Sequence, residues 1–336
     1  MSAVMNIAVL GATTLVGEAV LAHLAATDMA LGEVYLLADD ASVGDDVSFK
    51  YHEKTVLSIE PFDFSQVNLA IFAVGADVAA RYAPLAVAAG CTVIDTSPQF
   101  RQDAHVPLVV VGVNEAVLAD FTAPNIIASP CAVSIHLALS LKPLVSEFGV
   151  DSVTVATYQA VSGSGRAGVD ELAQQTTAIF SLNETENTVY AKRISFNILP
   201  QVGDLMDNGY SSEEMKLIDE TRKVLAMPDL TINPTAVRVP VFYGHGQVVQ
   251  VTTLKPVSVG LVTALWQQQA GLLVADDEAD VSPTAVDAVG QDEVLVGRVR
   301  SAMGKESGLN YWLMADNIHA GTALNVVRIA KVLSIQ

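Results

Sequence analysis

The chain has 336 residues, of which 51% are apolar and 16% are charged, and its formal net charge is −19. This length and composition favour a compact protein of two domains and exclude extensive disorder. The negative charge argues against nucleic acid and anionic membranes as partners. Because the N-terminus has no basic region and no uncharged apolar run is long enough to span a bilayer, we expect no membrane association and a cytoplasmic location.

Short apolar runs alternate with amphipathic helical patterns in the first third of the chain. They are predicted, in order, at residues 6–10, 15–26, 34–38, 69–74, 78–89 and 92–95. An alternation of this kind is typical of a parallel sheet that is covered by helices on its faces. The sequence therefore predicts an α/β domain over residues 1–130.

The pattern changes after a helix that begins near Val133. Longer strands are predicted at 152–160, 236–242, 247–254, 294–299 and 311–315, with helices at 169–180, 213–224 and 261–272. This order predicts a second domain of the α+β class over residues 131–317. A last helical pattern at 321–333 lies in a C-terminal segment, 318–336, that we expect to join the first domain. The acidic run 276–280 is interpreted as a solvated loop.

The first strand leads through Gly11-Ala12-Thr13-Thr14-Leu15-Val16-Gly17 into the first helix. Glycines in this position let backbone N–H groups approach a pyrophosphate at the helix N-terminus, which predicts a Rossmann-type dinucleotide site. Thr14 stands where such turns often have a glycine, and its β-branched side chain both crowds a phosphate and resists positive φ. A turn that keeps the fold without binding a cofactor therefore remains an alternative. Asp39 and Asp40, after the second strand, favour NAD over NADP.

Two cysteines are too few for a disulfide framework, and they lack the spacing of metal ligands. Cys131 ends an apolar run and precedes a helix, whose N-terminus favours the thiolate and could stabilise an oxyanion. It is either a nucleophile or a small buried apolar group. Cys91 precedes an apolar strand and is interpreted as buried filler.

The second domain contains two further candidate segments. A strand ends in the Ser- and Gly-rich turn 160–166, which allows close approach of the backbone to a ligand. Arg238 and His245 lie seven residues apart, so they share a pocket only if a turn intervenes, and Gly244 can supply it. The alternatives are a surface or interface ion pair for Arg238 and an ordinary half-buried histidine for His245.

These segments together resemble the aspartate-semialdehyde dehydrogenase family, and most closely its Usg-type branch. The matching segments run through the whole chain: 11–17, 93–101, 106–110, 126–143, 158–163, 196–197, 213–216, 238–245, 296–298, and 316–317 with Gly321. The resemblance implies a Rossmann-type domain with an α+β catalytic and dimerisation domain. It also implies a homodimer and the reductive dephosphorylation of β-aspartyl phosphate to aspartate semialdehyde, through a cysteine thioester and NADPH.

The resemblance also assigns roles to single residues. Gln159 orients the acyl group, His245 performs general acid–base chemistry, Arg238 binds the substrate carboxylate, and Glu213 or its neighbour Glu214 binds the amino group. Arg101 and Lys216 hold the phosphate. The residues assigned to NADP or NAD are Gly11, Thr13, Thr14, Gly17, Asp39, Ser42, Gly163 and Asn325. The predicted partners are thus a small anionic metabolite that resembles aspartate semialdehyde, and phosphate.

The chain departs from the family at the nucleophile. The family pattern is Asn-Pro-Asn-Cys-Ser/Thr, whereas an ungapped match here reads Ser129-Pro130-Cys131-Ala132. A shift by one residue moves the origin of a side chain by about 3.8 Å and, in a helix, turns it by roughly 100°. The cofactor segments also differ, at Thr14, Ala41 and His319-Ala320, which implies weak or lost cofactor binding. We therefore expect a weak or silent homologue that keeps the substrate pocket. The alternative is an active NAD(P)-dependent aspartate-semialdehyde dehydrogenase that uses Cys131.

Overall fold

The computed structural model describes residues 4–39, 41–275 and 282–335, which form two compact units. Unit 1 comprises Met1–Cys131 and Thr322–Gln336, and unit 2 comprises Ala132–Gly321. The predicted acidic loop 276–280 and the carboxylate of Asp40 lie outside the described residues.

Unit 1 is an α/β fold built on a six-stranded sheet, a small two-stranded sheet and three main helices. Its strands are β1 (Met5–Leu10), β2 (Leu31–Ala38), β3 (Asp46–Phe49), β4 (His52–Thr55), β5 (Leu57–Ser58), β6 (Leu69–Phe72), β7 (Thr92–Asp95) and β8 (Ile126–Ala128), and its α-helices are α1 (Leu15–Ala26), α2 (Ala76–Ala88) and α8 (Leu324–Ile335). Short 3₁₀ helices occupy Phe64–Gln66 and Glu115–Asp120.

The main sheet of unit 1 has the strand order β5-β2-β1-β6-β7-β8, and all its pairs are parallel. Every residue of β6 and β7 is buried, as expected for strands covered on both faces. The order reverses between β1 and β6, and a crevice forms at the carboxyl ends of the strands at such a switch point. The predicted parallel sheet is thus confirmed, and the glycine turn follows β1 at the switch point.

Unit 2 contains a second sheet, and helices contact both of its faces. Its strands are β9 (Val150–Gln159), β10 (Thr231–Arg238), β11 (His245–Thr253), β12 (Leu272–Val274), β13 (Val294–Ser301) and β14 (Gly308–Ala315), and its α-helices are α3 (Ala132–Phe148), α4 (Gly165–Phe180), α5 (Ser212–Leu225), α6 (Val259–Gln268) and α7 (Ala285–Ala288). A 3₁₀ turn occupies Val161–Ser164, and a π-helical segment, Asn317–Ala323, precedes α8.

The sheet of unit 2 is mixed, with the order β10-β9-β11-β14-β13-β12. The pairs at the two edges, β10 with β9 and β12 with β13, are parallel, and the three pairs between them are antiparallel. Helix α3 is buried almost all round because it packs against β11 and lies between α5 and α6. Ser140 on α3 binds two core aromatic side chains: its carbonyl accepts from Trp266 Nε1 at 2.9 Å, and its hydroxyl lies 3.0 Å from that of Tyr311.

Several predicted boundaries are wrong for local reasons. The strand predicted at 236–242 begins at Thr231 and ends at Arg238, because Pro240 has no N–H to continue a ladder and Val241 N donates to Val239 O at 2.8 Å. Helix α6 ends at Gln268 instead of 272, since the chain turns at Gly271, with φ of +87°, into β12. The C-terminal α-helix begins at Leu324, after the π-helical segment.

One helical stretch of the described residues, Asn317–Ile335, has the length and apolar character of a membrane-crossing helix, and 50% of its most apolar part is buried inside the structure. Buried helices of folded domains have the same composition. In unit 1, the α-helical part of this stretch packs against α1 and β7.

Candidate active site

The glycines of the first turn in unit 1 are required by close backbone contacts. Gly11 has φ of +72°, and a Cβ at this position would lie 2.3 Å from the carbonyl oxygen of Ala73. A Cβ at Gly17 would lie 2.0 Å from the carbonyl oxygen of Gly11. No larger side chain fits at either position, so the turn holds the start of α1 tightly against the carboxyl end of β1.

Thr14 fits this turn without strain. Its φ is −76°, so the expectation that position 14 needs a positive φ is wrong. Thr14 is the N-cap of α1: its hydroxyl accepts from Gly17 N at 3.0 Å and donates to Gly11 O at 2.8 Å. A β-branched side chain is compatible with the glycine turn because the hydroxyl serves the helix cap.

The remaining residues of unit 1 that the sequence assigns to the cofactor lie in two places. Thr13 Oγ1 donates to Ser42 Oγ at 3.0 Å, and Asp39 is exposed after β2. The tight turn, the helix N-terminus and this hydroxyl pair fit a dinucleotide at the switch point. Asn325 is elsewhere in unit 1, where its side chain binds Val109 O, Ser129 Oγ and Val111 N at 2.8–3.0 Å. Its role towards a cofactor stays a prediction.

Arg101 is buried in unit 1, with 6% of its surface exposed, and its Nη2 donates to the carbonyl of Thr96. Nearby Asp95 accepts from the backbone N and the hydroxyl of Ser97. Burial raises the pKa of Asp95 to about 6, although the Ser97 hydrogen bonds and the charge of Arg101 act in the opposite direction. The role of Arg101 in holding phosphate stays a prediction.

The two cysteines differ in their surroundings. Cys91 is completely buried, and burial raises its pKa to about 12, so the interpretation as buried filler is confirmed. Cys131 is half-buried and immediately precedes α3. Ala132 is the first residue of α3, and a Cβ at Gly321 would lie 2.6 Å from its Cβ, so this end of the helix is closely packed.

In unit 2, Arg238 and His245 are brought together as the sequence predicts. Arg238 ends β10 and His245 begins β11, which flank β9 on opposite sides, and Gly244 has φ of +93° in the connection. Both side chains bind the backbone of one residue: Arg238 Nη1 donates to Ala160 O at 2.7 Å, and His245 Nδ1 accepts from Ala160 N at 3.1 Å. Neither is a surface group, since each is at most 6% exposed.

The two side chains converge beside Gly163. A Cβ at this position would lie 2.7 Å from Arg238 Nη1 and 3.3 Å from His245 Nε2, so only glycine fits. Because Nδ1 of His245 accepts a hydrogen bond, a neutral imidazole carries its proton on Nε2. Burial first, then the charges of Arg238 and His136, hold the pKa of His245 well below its usual range. A guanidinium and an N–H donor thus meet at one corner, which suits an anionic or carbonyl oxygen.

Gln159 and Glu213 form a second part of the site in unit 2. Gln159 ends β9 beside Arg238, and its Nε2 donates to Glu213 Oε1 at 3.3 Å. Lys216 Nζ lies 3.5 Å from Glu213 Oε2 on the exposed side of α5. Glu214 is occupied elsewhere, since it accepts from Ser211 N and from Ala236 N. Glu213, rather than Glu214, therefore faces the cluster with Gln159.

Sequence reasoning missed three residues of this region. Asn317 Oδ1 lies 3.1 Å from the hydroxyl of Ser162 and accepts from Gly244 N at 3.0 Å, which joins the two turns of the site. Tyr190 lies against the 161–164 turn, and His136 is buried on α3. Asn317 stands in a segment that matches the family, whereas nothing local in the sequence marks the other two. Among the described residues, no three His, Cys, Asp or Glu side chains are grouped as metal ligands.

Each of the two units matches a known protein family. The family model "Semialdehyde dehydrogenase, NAD binding domain" matches residues 6–121, and "Semialdehyde dehydrogenase, dimerisation domain" matches residues 141–320. Aspartate-semialdehyde dehydrogenase 2 of Vibrio cholerae is 42% identical over 333 residues, which cover 99% of this chain and 98% of that protein.

Solved structures agree with these matches. The V. cholerae aspartate semialdehyde dehydrogenase II complexed with ASA superposes with a TM-score of 0.96 at 42% identity, covering 100% of this chain and 99% of that chain. A probable aspartate-semialdehyde dehydrogenase from Pseudomonas aeruginosa superposes with a TM-score of 0.94 at 36% identity, covering 98% of each chain.

The parallel-sheet unit with its glycine turn, together with the mixed-sheet unit and its buried Arg, His and Gln cluster, defines the class of two-domain nicotinamide-dependent dehydrogenases. Within this class, the chain belongs to the aspartate-semialdehyde dehydrogenase family. Unit 1 is the NAD-binding domain of that family, and its glycine turn lies where such a fold binds a dinucleotide.

Proposed function

We propose that unit 2 binds aspartate semialdehyde or a close analogue in the cluster around Gly163. Arg238 binds the carboxylate, because a guanidinium fork matches its two oxygens, and Glu213 binds the amino group. Gln159 and the Nε2–H of His245 face the oxygen of the aldehyde carbonyl. The observation that carries the proposal is the convergence of Arg238 and His245 beside Gly163, with Gln159 and Glu213 hydrogen-bonded next to them.

The first candidate function is the family reaction, supported by the names of relatives that match over nearly the whole chain. In it, the thiolate of Cys131 attacks the acyl carbon of β-aspartyl phosphate, phosphate leaves, and the thioester is reduced to the aldehyde. NAD(P)H supplies the hydride when bound. The roles of Cys131 in attack and of Arg101 and Lys216 in binding phosphate come from the resemblance. In this candidate, the enzyme is a cytoplasmic homodimer.

The second candidate is binding of the same ligand without turnover, as in a Usg-type homologue. It is favoured by one observation: Ala132, and not a thiol, is the first residue of α3, and Cys131 precedes the helix. A displacement near 1 Å can cost about a hundredfold in rate, and one residue moves the side chain by about 3.8 Å.

One assay separates the two candidates. Purified protein is incubated with aspartate semialdehyde, phosphate and either NADP or NAD, and the reduced cofactor is followed by absorbance. Turnover that disappears in Cys131→Ala but persists in Cys91→Ala supports the first candidate. If no turnover is observed, calorimetric binding of aspartate semialdehyde that is lost in Arg238→Ala and kept in Arg81→Ala supports the second. Absence of both turnover and binding contradicts the proposal.

The position of the thiol is tested by the double variant Cys131→Asn with Ala132→Cys. If the second candidate is correct, this variant gains turnover of at least about a hundredfold, because the thiol then starts α3. The single variant Cys131→Asn is the control and stays inactive. A double variant that is no more active than the wild type shows that the site does not depend on this position.

A further inference from the structure

A buried polar network ties residues 186–195 to helix α4. Glu171, only 3% exposed, accepts from the backbone N and the hydroxyl of Thr188 at 2.8 Å and from the backbone N of Val189. Gln175, one helical turn later, donates to Glu186 O at 2.9 Å and accepts from Ile194 N at 2.9 Å. Both ends of the segment are therefore fixed to α4 by side chains that have almost no contact with water.

The segment places Tyr190 over the 161–164 turn. Its ring packs with Val161, Leu172 and Ile194, and its hydroxyl donates to Ser164 Oγ at 3.1 Å and lies 3.5 Å from the carbonyl oxygen of Val161. A Cβ at Gly168 would lie 2.8 Å from this hydroxyl, so glycine leaves the room that the phenol needs. Tyr190 thus contacts both ends of a turn whose middle contains Gly163.

The same turn determines where Arg238 lies. Arg238 Nη1 binds the carbonyl of Ala160, directly before the turn, and passes close to Gly163. Burial lowers the pKa of Arg238, and its electrostatic interactions with Tyr190 and Glu213 act in the opposite direction. A movement of the turn by a few tenths of an ångström would therefore change where the guanidinium points.

We infer that Tyr190 is a positioning residue for carboxylate recognition: its hydroxyl fixes the 161–164 turn and thereby orients Arg238. The inference rests on the proposed function, since it concerns the carboxylate of the same ligand. Because the hydroxyl acts through the turn, its loss weakens the binding only of ligands that contact Arg238. A lost neutral hydrogen bond of about 0.5–1.5 kcal/mol corresponds to roughly a 2- to 12-fold change in Kd.

The test compares two ligands that differ by the carboxylate, aspartate semialdehyde and 3-aminopropanal. Calorimetric Kd values are measured for the wild type, for Tyr190→Phe, and for Tyr51→Phe, a matched loss of a hydroxyl from a fully exposed tyrosine of unit 1. We expect Tyr190→Phe to raise the Kd for aspartate semialdehyde about 2- to 12-fold and to leave the Kd for 3-aminopropanal unchanged. Equal weakening of both ligands, or of neither, overturns the inference.

Two further measurements isolate the route through the turn. Ser164→Ala should weaken the binding of aspartate semialdehyde in the same way. The double variant of Ser164→Ala with Tyr190→Phe should lose less binding free energy than the two single variants lose in sum. Fully additive losses contradict the route. In ligand-free protein, the ¹H–¹⁵N resonance of the Arg238 guanidinium should shift in Tyr190→Phe and not in Tyr51→Phe. If the wild type binds neither ligand, the proposed function fails, and this resonance alone decides the positioning role.

Discussion

His136 lies one helical turn after Ala132 on the same face of α3. It is 1% exposed, its Nε2 lies 3.2 Å from where a Cβ at Gly321 would be, and neither ring nitrogen has a hydrogen-bond partner among the described residues. Burial lowers its pKa to about 4, although the charge of Asp316 acts in the opposite direction. The ring is therefore neutral near pH 7. Its burial leaves both ring nitrogens without hydrogen bonds, which costs folding free energy.

This histidine makes stability depend on pH. As the pH falls from about 6.5 to about 4, the unfolded chain binds a proton that native His136 rejects, so stability present above 6.5 is lost. The loss amounts to about 3 kcal/mol at most. We expect the difference in unfolding free energy between the wild type and His136→Gln to fall by up to this amount between pH 7 and pH 4, measured by urea titration. The exposed His105→Gln is the control, and parallel curves for the wild type and His136→Gln contradict the prediction.

Helix α5 begins with a capping box that also fixes the edge of the sheet. Ser211 Oγ accepts from Glu214 N at 3.3 Å, and Glu214 Oε2 accepts from Ser211 N at 2.7 Å. The other oxygen of Glu214 accepts from Ala236 N on β10 at 2.8 Å. One carboxylate therefore joins the start of α5, which carries Glu213, to the strand that carries Arg238.

The cap should affect stability and binding together. Ser211→Ala should lower the unfolding free energy by about 1 kcal/mol. It should also weaken the binding of aspartate semialdehyde, because the first turn of α5 carries Glu213. Ser258→Ala is the matched control: Ser258 caps α6 through Leu261 N at the same 3.3 Å, and α6 carries none of the proposed ligand contacts. It should cost similar stability in urea titration and leave the calorimetric Kd unchanged. A binding loss in both variants would show that general loosening, and not the α5 cap, is responsible.

The elements of unit 1 were largely predictable, because a parallel sheet leaves a strong local pattern of apolar runs and amphipathic helices. The meeting of Arg238 and His245 was also predictable, since Gly244 marks the turn that the spacing requires. The role of Tyr190 was not, because its contacts with Val161 and Ser164 join segments that are far apart in sequence. The start of β10 at Thr231 was not predictable either, because it depends on pairing with β9, which no local pattern records.

At the scale of the whole molecule, one face of the unit 2 sheet is partly exposed beside the short helix α7, which packs against Leu295 and Met314. Tyr158 and Val248 are 37% and 39% exposed there, and the ring of Tyr158 lies 5.9 Å from that of Trp312. The matching family model for residues 141–320 is named a dimerisation domain. An exposed apolar sheet face in such a domain favours a homodimer formed through this surface.

We therefore expect the wild type to sediment at twice the chain mass of 35.4 kDa. Val248→Arg should shift it to the monomer mass, because Arg298 and Arg300 lie near this position and a third cation would be both desolvated and repelled. Val117→Arg, at a position 44% exposed in unit 1, should not. A wild-type monomer, or a Val248→Arg dimer, would rule out this surface.

The backbone of Ala160 has a consequence for how ligand preference can change. Its N–H and carbonyl are each bound by a different side chain, so neither Arg238 nor His245 can be redirected without losing its anchor. Substitutions that alter selectivity while preserving the fold must then act on other walls of the pocket. Adaptation to a longer or shorter amino-acid aldehyde would accordingly be found first at Glu213 and Gln159, with the guanidinium–imidazole corner inherited intact.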